Sequence, residues 1–379
     1  MKLLKDIPSQ QERKGLFILL AVFCIVQTLL FLKFGVVTQN EAAKYVSEGT
    51  LLATEGRLSH IKYFFYIPVI SLVWLCKSLH ISLFFAVLIQ VILSGIAQYC
   101  FYKLCRSLTN YKAAFITSLF LALFFPLQSW NFHLYSDSIL ISLSLVYLWF
   151  FYQYDRYQLT RHLLLALAVL VLITFSRPHG LLFIPPAILY LVFRKQSRKN
   201  LFINMGICVL LTGLMFLAAL VIFSGGGDMD AMKPFIEEHI ICFVPTATGD
   251  NNLTLINSGS QMYDLWYYII HNPLHFLKLT GLKILSFFNL TRPWYTPVNN
   301  YLLIALMVPL YTSFLFGLKK FIQANRRFAL LVIGLLLLYP FGMTLQCDDW
   351  HSRFTMAIIG ALLCISCYRV NWVVEKIKR

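Results

Sequence analysis

Long apolar stretches, separated by short polar segments, follow one another along this chain from residue 15 to residue 370. Each is apolar enough to enter about 30 Å of hydrocarbon as a helix, and the shorter ones suit tilted or partly buried helices. Two further apolar stretches, Tyr63–Leu79 and His275–Leu290, carry a proline or lysines, so the pattern leaves open whether they cross. The ten predicted spans are 15–36, 82–102, 113–127, 136–153, 162–176, 180–193, 201–223, 300–317, 328–346 and 353–370.

The composition places the chain in the membrane class. Hydrophobic residues make up 59% of the chain and charged residues only 13%, whereas soluble domains carry about 25% charged residues. We therefore predict an all-α fold, a polytopic transmembrane helical bundle of about 10–12 spans with interfacial helices and a larger outer loop region. The formal net charge of +16 does not predict a nucleic-acid partner, because the basic residues form short clusters between apolar stretches.

The basic clusters also predict the orientation of the spans. If both ambiguous stretches lie at the outer interface, the segments 2–14, 103–112, 156–161, 194–199, 319–327 and 369–379 are all cytoplasmic and hold 21 of the 32 lysines and arginines. The positive-inside rule favours this arrangement, with both termini in the cytoplasm of a multi-pass inner (plasma) membrane protein. Twelve of the 16 acidic residues then lie outside, so the polar chemistry is expected on the outer face.

This topology divides the chain into three predicted regions. Residues 1–223 form a transmembrane module with a first outer loop at 37–81, residues 224–299 form an outer loop or cap with amphipathic segments, and residues 300–379 form the C-terminal spans. The middle region is too long to be a plain connection. The nine cysteines show neither CxxC spacing nor histidines at ligand spacing, so neither a disulfide framework nor a metal site is predicted.

Two acids at the edges of apolar stretches are the candidate catalytic residues. Glu41 follows the first span and has Tyr45 four residues later, while Asp137 opens the span 136–153. A carboxylate at the edge of hydrocarbon is costly to desolvate, which suggests a function for it. The alternative for Glu41 is a solvated loop residue or helix cap, and for Asp137 it is an N-cap.

Basic residues on the predicted outer face are candidates for binding an anionic group. Each also has a structural explanation: a lysine that snorkels from an interfacial helix, an arginine that pairs with an outer acid, or a histidine in a turn. The candidates are Lys62, Arg177, His179, Arg292 and Arg353.

Together these motifs resemble the GT-C glycosyltransferases, polytopic enzymes that take sugars from polyprenyl-phosphate carriers, such as lipid A aminoarabinose transferases and protein O-mannosyltransferases. Glu41 with Tyr45 and Gly56 resembles their first outer loop, and Lys62–Leu79 resembles their juxtamembrane stretch. Further similarities are the motifs Ser136-Asp137, Arg177-Pro178-His179-Gly180 and Asp348-Asp349-Trp350-His351-Ser352-Arg353. The family usually has Asp, often Asp-Glu, where this chain has Glu41-Ala42.

The resemblance implies an inverting sugar transfer on the outer face, with Glu41 as the base. Asp137 would orient the acceptor or a metal, and the candidate basic residues with Tyr45 would bind the carrier phosphate or the sugar. The implied partners are a polyprenyl-phosphate-linked sugar donor, a lipid or glycan acceptor of the cell envelope, and membrane lipids. No cofactor is assigned, and a divalent metal is left open. An O-antigen-type polymerase or ligase, or a transporter or flippase of lipid-linked saccharides, is the alternative.

Overall fold

The computed structural model describes residues 9–194, 206, 210, 213, 232–242, 244, 252–348 and 351–377. These residues form helices, turns and loops without a strand, and their β-type contacts are two isolated bridges, Val37 with His133 and Ile241 with Asp348. The predicted all-α class is therefore confirmed. The predicted span 201–223 lies almost wholly outside the described residues.

The helices are numbered here in chain order. The 3₁₀ helices are Ile61–Tyr66, Ser129–Phe132 and Pro178–Phe183. The α-helices are α1 Gln10–Phe34, α2 Glu41–Glu55, α3 Ile67–Ser78, α4 Phe84–Leu108, α5 Tyr111–Leu123, α6 Phe125–Gln128, α7 Ser136–Tyr157, α8 Thr160–Ser176, α9 Ile184–Phe193, α10 Lys233–Ile236, α11 Gln261–His271, α12 Pro273–Phe288, α13 Pro297–Ala324, α14 Arg326–Met343, α15 Arg353–Met356 and α16 Ile359–Ile377.

Several of the described helices have the length and apolarity of membrane spans. There are five: Gln10–Phe34, Ile61–Ser78, Phe84–Leu108, Pro297–Ala324 and Arg326–Met343, or six if the pair Tyr111–Leu123 and Phe125–Phe132, bent by 55°, counts as one span. Thr160–Ser176 and Pro178–Phe193 are shorter apolar helices. The chain is thus a multi-span helical protein, although fewer of its described helices pass this test than the ten spans predicted from the sequence.

The two ambiguous stretches differ in the structure. The 3₁₀ helix Ile61–Tyr66 and α3 together are long and apolar enough to cross a membrane. The other stretch forms α12, whose 16 residues fall short of the roughly 20 residues that a spanning helix needs. One further expectation was wrong: the predicted span 353–370 is not continuous, because the turn at Ala357 and Ile358 separates α15 from α16.

The described chain separates into two compact units. The first draws on Met1–Leu181, Val308–Ala329 and Ile359–Arg379, and the second on Leu182–Met307 and Leu330–Ile358. In the first unit, α7 is the central helix, since every residue from 136 to 148 is buried and it packs against α4, α8 and α16. A helix that is mostly apolar on all sides is expected at such a central position.

In the second unit, a cluster of buried apolar side chains joins α10, α11 and α12. It consists of Met232, Phe235, Leu265, Tyr268 and Leu279. Two polar links reinforce it: the Nε2 atom of His275 lies 2.9 Å from Glu238 Oε1, and its Nδ1 atom lies 2.5 Å from the Tyr268 hydroxyl. This part of the predicted cap is therefore a packed unit.

The second unit also corrects an expectation about the cysteines. Cys242 and Cys347, 105 residues apart, form a disulfide, although the spacing of the cysteines predicted none. The pairing of distant cysteines cannot be deduced from their spacing, because it depends on which segments the fold brings together. The bond connects the chain beyond α10 to the end of α14.

Candidate active site

Glu41 is the first residue of α2, and local interactions hold its carboxylate in place. The residue before it, Asn40, adopts a positive φ of 57°, a conformation that asparagine tolerates better than most residues. The positive end of the helix dipole favours an acid in the first turn. One turn later, the buried Tyr45 hydroxyl donates a hydrogen bond of 2.7 Å to Glu41 Oε1. The spacing of four residues between Glu41 and Tyr45 thus gives a direct contact in the structure.

Arg177 follows the last residue of α8 and is directed by the turn that ends this helix. Proline disfavours helical geometry in the residue before it, and Arg177, preceding Pro178, is extended. The Gly180 N–H donates to the Arg177 carbonyl at 2.8 Å. A Cβ atom at Gly180 would lie 2.1 Å from the Ile173 carbonyl oxygen, so this compact turn requires glycine.

The guanidinium of Arg177 joins the two candidate carboxylates. Its Nη2 atom donates to Glu41 Oε1 at 3.0 Å and to Oε2 at 3.3 Å. Its Nη1 atom donates to Asp137 Oδ1. Three residues far apart in the sequence, from α2, α7 and the end of α8, therefore meet at one point of the first unit.

Asp137 does not act as the N-cap that the sequence offered as an alternative. It is the second residue of α7, whose N-cap is Tyr135, and no side chain caps the helix. Its side chain is 2% exposed and paired with Arg177, whereas the side chain of Glu41 is 15% exposed. Of the two acids, Glu41 is thus the one that solvent and a substrate can reach.

In this cluster one arginine is bonded to both acids. Burial acts against the charge of Arg177, but Asp137 and Glu41 outweigh it and raise its pKa above the ordinary value. Burial, and to a lesser degree Glu41, raises the pKa of Tyr45, although Arg177 acts in the opposite direction. Tyr45 therefore stays protonated and donates to Glu41.

Two other predicted residues lie on elements next to this cluster. Lys62 belongs to the 3₁₀ helix Ile61–Tyr66, and its ammonium lies 5.7 Å from the centre of the Tyr63 ring. The same helix places Tyr66 against Tyr45, with ring centres 5.1 Å apart. His179 is half-buried in the turn that follows Arg177. Both residues therefore belong to the surroundings of the cluster.

The remaining predicted residues lie in the second unit. Arg292 is buried and donates to Asp348 Oδ2 at 2.6 Å and to the carbonyls of Asn289 and Thr291 at 2.5 and 3.2 Å. Arg353 opens α15, with its guanidinium 5.3 Å from the centre of the Phe354 ring. Asp349, an acid of the same motif, lies outside the described residues.

Near the Arg292 pair, a lysine that was not singled out in the sequence is buried. Lys283 donates to the Thr344 carbonyl at 3.1 Å, and its ammonium lies 3.9 Å from the centre of the Phe235 ring. Burial lowers its pKa to about 7. It lines a small cavity of about 10 Å³ together with Met343 and Asp348. The sequence signal for this buried lysine was its position in an otherwise apolar stretch.

Metal binding finds no further support in the described part of the chain. No group of three or more His, Cys, Asp or Glu side chains there is arranged to hold a metal ion. Glu41 and Asp137 are both bonded to Arg177.

The comparison with known families bears on this cluster directly. Residues 65–223 match the family model described as dolichyl-phosphate-mannose-protein mannosyltransferase, a GT-C family, so the resemblance drawn from the motifs is confirmed. The matched range includes Asp137, Arg177 and His179, and it begins after Glu41 and Lys62. No curated protein and no solved structure gives a significant match to the chain.

Proposed function

Since the chain is a membrane glycosyltransferase of the GT-C type, we propose that it moves a sugar from a polyprenyl-phosphate donor to a cell-envelope acceptor on the outer face of the membrane. The supporting observation is the partly exposed carboxylate of Glu41, held by Arg177 and Tyr45 beside Asp137. The transfer inverts the anomeric centre, and Glu41 is its base.

The proposed reaction is a single displacement. The acceptor hydroxyl loses its proton to Glu41 while its oxygen attacks the anomeric carbon from the face opposite the carrier. A new carbon–oxygen bond forms, and the bond from the anomeric carbon to the carrier phosphate breaks. The departing phosphate takes that bond's electron pair, so it needs charge stabilisation more than protonation.

Exposure and contacts distinguish the roles of the two acids. Asp137 is almost fully buried against Arg177, so an acceptor cannot reach it without displacing the arginine. Glu41 retains some exposure, and its contacts with Arg177 and Tyr45 fix its direction. We assign Glu41 as the base and Asp137 as the residue that holds Arg177 in place.

The geometry also separates the candidate cations. Because Arg177 is engaged by two carboxylates, it suits positioning better than phosphate binding. Arg292 is buried and bonded to Asp348 and two carbonyls, which favours a structural role. Lys62 and His179, on elements of the first unit next to the cluster, are the proposed contacts of the carrier phosphate, a group that charged donors bind strongly. The phosphate contact predicted for Arg353 stays a prediction.

The disulfide supports an outer location for the second unit. Disulfides persist in oxidising compartments and are rare where thiols are kept reduced. Cys242 and Cys347 both lie in segments that the positive-inside rule assigns to the outer face when Tyr63–Leu79 and His275–Leu290 both lie at the outer interface. This agreement favours the proposed orientation, with cytoplasmic termini in the inner (plasma) membrane.

A deletion strain tests the proposal. Loss of the gene should leave a lipid-linked sugar accumulated and an envelope glycan or lipid lacking that sugar. Wild-type protein should restore both, while Glu41→Gln at equal membrane abundance should restore neither. A shortened glycan chain with accumulated lipid-linked oligomer would indicate a polymerase or ligase instead. Restoration by Glu41→Gln would indicate a flippase or another activity that does not need the base.

A further inference from the structure

A chain of buried amide side chains runs through the first unit to the start of α7. Gln27 of α1 donates to Gln128 Oε1 at 2.8 Å, and Asn131 donates to Gln27 Oε1 at 3.0 Å. Ser138 then donates to Asn131 Oδ1 at 2.7 Å. All four side chains are at most 5% exposed. The chain thus ends on the residue that directly follows Asp137.

Backbone contacts fix the segment just before α7. Gln90 of α4 donates to the carbonyls of His133 and Tyr135 at 3.3 and 3.1 Å. Val37 N–H donates to the Phe132 carbonyl at 2.9 Å, and Leu134 N–H donates to the Val37 carbonyl at 3.1 Å. Since Val37 lies four residues before Glu41, these contacts tie the strand-like segment preceding Glu41 to the one preceding Asp137.

Buried amides of this kind need a reason beyond packing. An amide removed from water costs free energy unless its hydrogen bonds are replaced, and polar side chains within membrane helices frequently mark functional sites. The structural explanation for these buried amides is that each joins two neighbouring helices. Gln98 of α4 does so by donating to the Ser118 carbonyl of α5. That contact is a single bond, whereas the Gln27 chain has four members and converges on the start of α7.

We propose that Gln27, Gln128, Asn131 and Ser138 form a positioning network that fixes the first turn of α7, and with it the Asp137 carboxylate against Arg177. This inference rests on the proposed function. Through Arg177, which also binds Glu41, the network sets the direction of the base toward the acceptor. Its four members act through Asp137 and Arg177, as positioning residues.

The smallest change that interrupts the network is Ser138→Ala. Ser144→Ala is its matched control, because Ser144 is equally buried in α7 but donates within its own helix, to the Ile141 carbonyl at 2.7 Å. Ser138→Ala should lower kcat roughly 10-fold with KM for the donor nearly unchanged, since a 1 Å misplacement of a reacting group can cost about 100-fold. Ser144→Ala should leave kcat near the wild-type value. Equal effects of the two variants would overturn the inference.

A double-mutant cycle shows whether Ser138 acts through Asp137. In the Asp137→Asn background, Ser138→Ala should change kcat by less than about 2-fold, because independent sites add and coupled ones do not. The thermal unfolding midpoints of the same variants give a second double-mutant cycle, which can be used if turnover is too low to measure. If Ser138→Ala and Asp137→Asn have independent effects on both kcat and the unfolding midpoint, the four side chains serve only helix packing. That result would contradict the inference.

The same experiments separate a failure of this inference from a failure of the proposed function. If Glu41→Gln keeps wild-type turnover, or if wild-type protein transfers no sugar, the proposed function fails. Coupling of Ser138 to Asp137 in the unfolding midpoint would still stand in that case. If Asp137→Asn loses turnover but Ser138→Ala behaves like Ser144→Ala, the proposed function stands and the network does not.

Discussion

Two buried arginines, one in each unit, are partnered in different ways. Arg292 is 2% exposed and meets one carboxylate, Asp348, while its other donor reaches backbone carbonyls. Arg177 is 4% exposed and meets two carboxylates, one of which stays partly exposed. Asp348 is in turn bound by Ser286 at 2.9 Å. Arg292 thus meets a buried carboxylate, whereas Arg177 joins two carboxylates, of which Glu41 is partly exposed.

The difference indicates which arginine serves chemistry. A balanced, closed ion pair in a protein interior contributes mainly to structure, and breaking it leaves a buried charge without a partner. A cation shared by two acids instead keeps them at a fixed distance and leaves one acid available to a substrate. Burial alone therefore does not identify the functional arginine, whereas the number and exposure of its acidic partners do.

The largest effects should come from removing each arginine. Arg177→Met and Arg292→Met should both lower stability, by about 3–5 kcal/mol, because each leaves buried acid without its partner. Arg177→Met should also abolish transfer, while Arg292→Met should keep turnover near wild type per folded molecule. Turnover normalised to the folded fraction from size-exclusion chromatography checks this. Transfer lost equally in both variants would remove the distinction between the two clusters.

Neutralising one acid of each cluster should also distinguish the two clusters, with smaller effects than removing the arginines. Asp137→Asn keeps the shape of the side chain but weakens its hold on Arg177, so turnover should fall, and by less than when Glu41 is neutralised. Asp348→Asn should lower the unfolding midpoint and leave KM and kcat of the folded protein unchanged. Kinetics and thermal unfolding measured on the same preparations check both. A kinetic effect of Asp348→Asn equal to that of Asp137→Asn would place the second cluster in the reaction.

The disulfide should matter for the second unit and not for the chemistry. Replacing both Cys242 and Cys347 with Ser should lower stability by about 2–5 kcal/mol, as expected when a native disulfide is lost. Cys24→Ser, which removes an exposed free thiol, is the control and should change little. Thermal unfolding followed by turnover of the folded fraction measures both effects. Unchanged stability of the double variant would contradict a structural role for the bond.

The smallest effect concerns Lys283 and depends on pH. Burial lowers the pKa of this amine from 10.5 to about 7, so between these values the unfolded chain binds the proton and the folded protein does not. The stability of the wild type relative to Lys283→Met should therefore rise with pH across that window. Unfolding midpoints at pH 7 and pH 9 measure it, with the exposed Lys278→Met as control. If the difference in unfolding midpoint between wild type and Lys283→Met does not change with pH, the amine keeps its ordinary pKa.

Local sequence patterns predicted the helices well where apolar runs are long and uninterrupted. The runs around 15–36, 82–102, 300–317 and 328–346 all became helices that pass the test for a span. Prediction failed where a break depends on the geometry of a turn. The predicted span 113–127 ends at Leu123 and bends by 55° into the segment that contains Pro126. Apolarity shows that a segment is buried in lipid or protein, and does not show where it bends.

Only part of the candidate site was predicted, because only part of it depends on local spacing in the sequence. Glu41 and Tyr45 are one helical turn apart, so their contact follows from local spacing. The partners of Arg177 come from segments 40 and 136 residues away, and only the packing of α2, α7 and α8 brings them together. The buried amides of Gln27 and Asn131 were visible as polar residues near apolar runs, but nothing in their spacing indicated a shared network.

Transfer by Glu41→Gln tests the central claim most directly. This change keeps the size of the side chain but replaces one carboxylate oxygen with an amide nitrogen, so the side chain can no longer accept the proton. General-base catalysis is typically worth about 10²–10⁴-fold, so turnover should fall by that factor with membrane insertion and unfolding midpoint intact. Glu41→Asp should retain activity, because it keeps the carboxylate. Glu55→Gln, the same change at the exposed end of α2, should have no effect. A well-folded Glu41→Gln protein with near wild-type turnover would contradict the account.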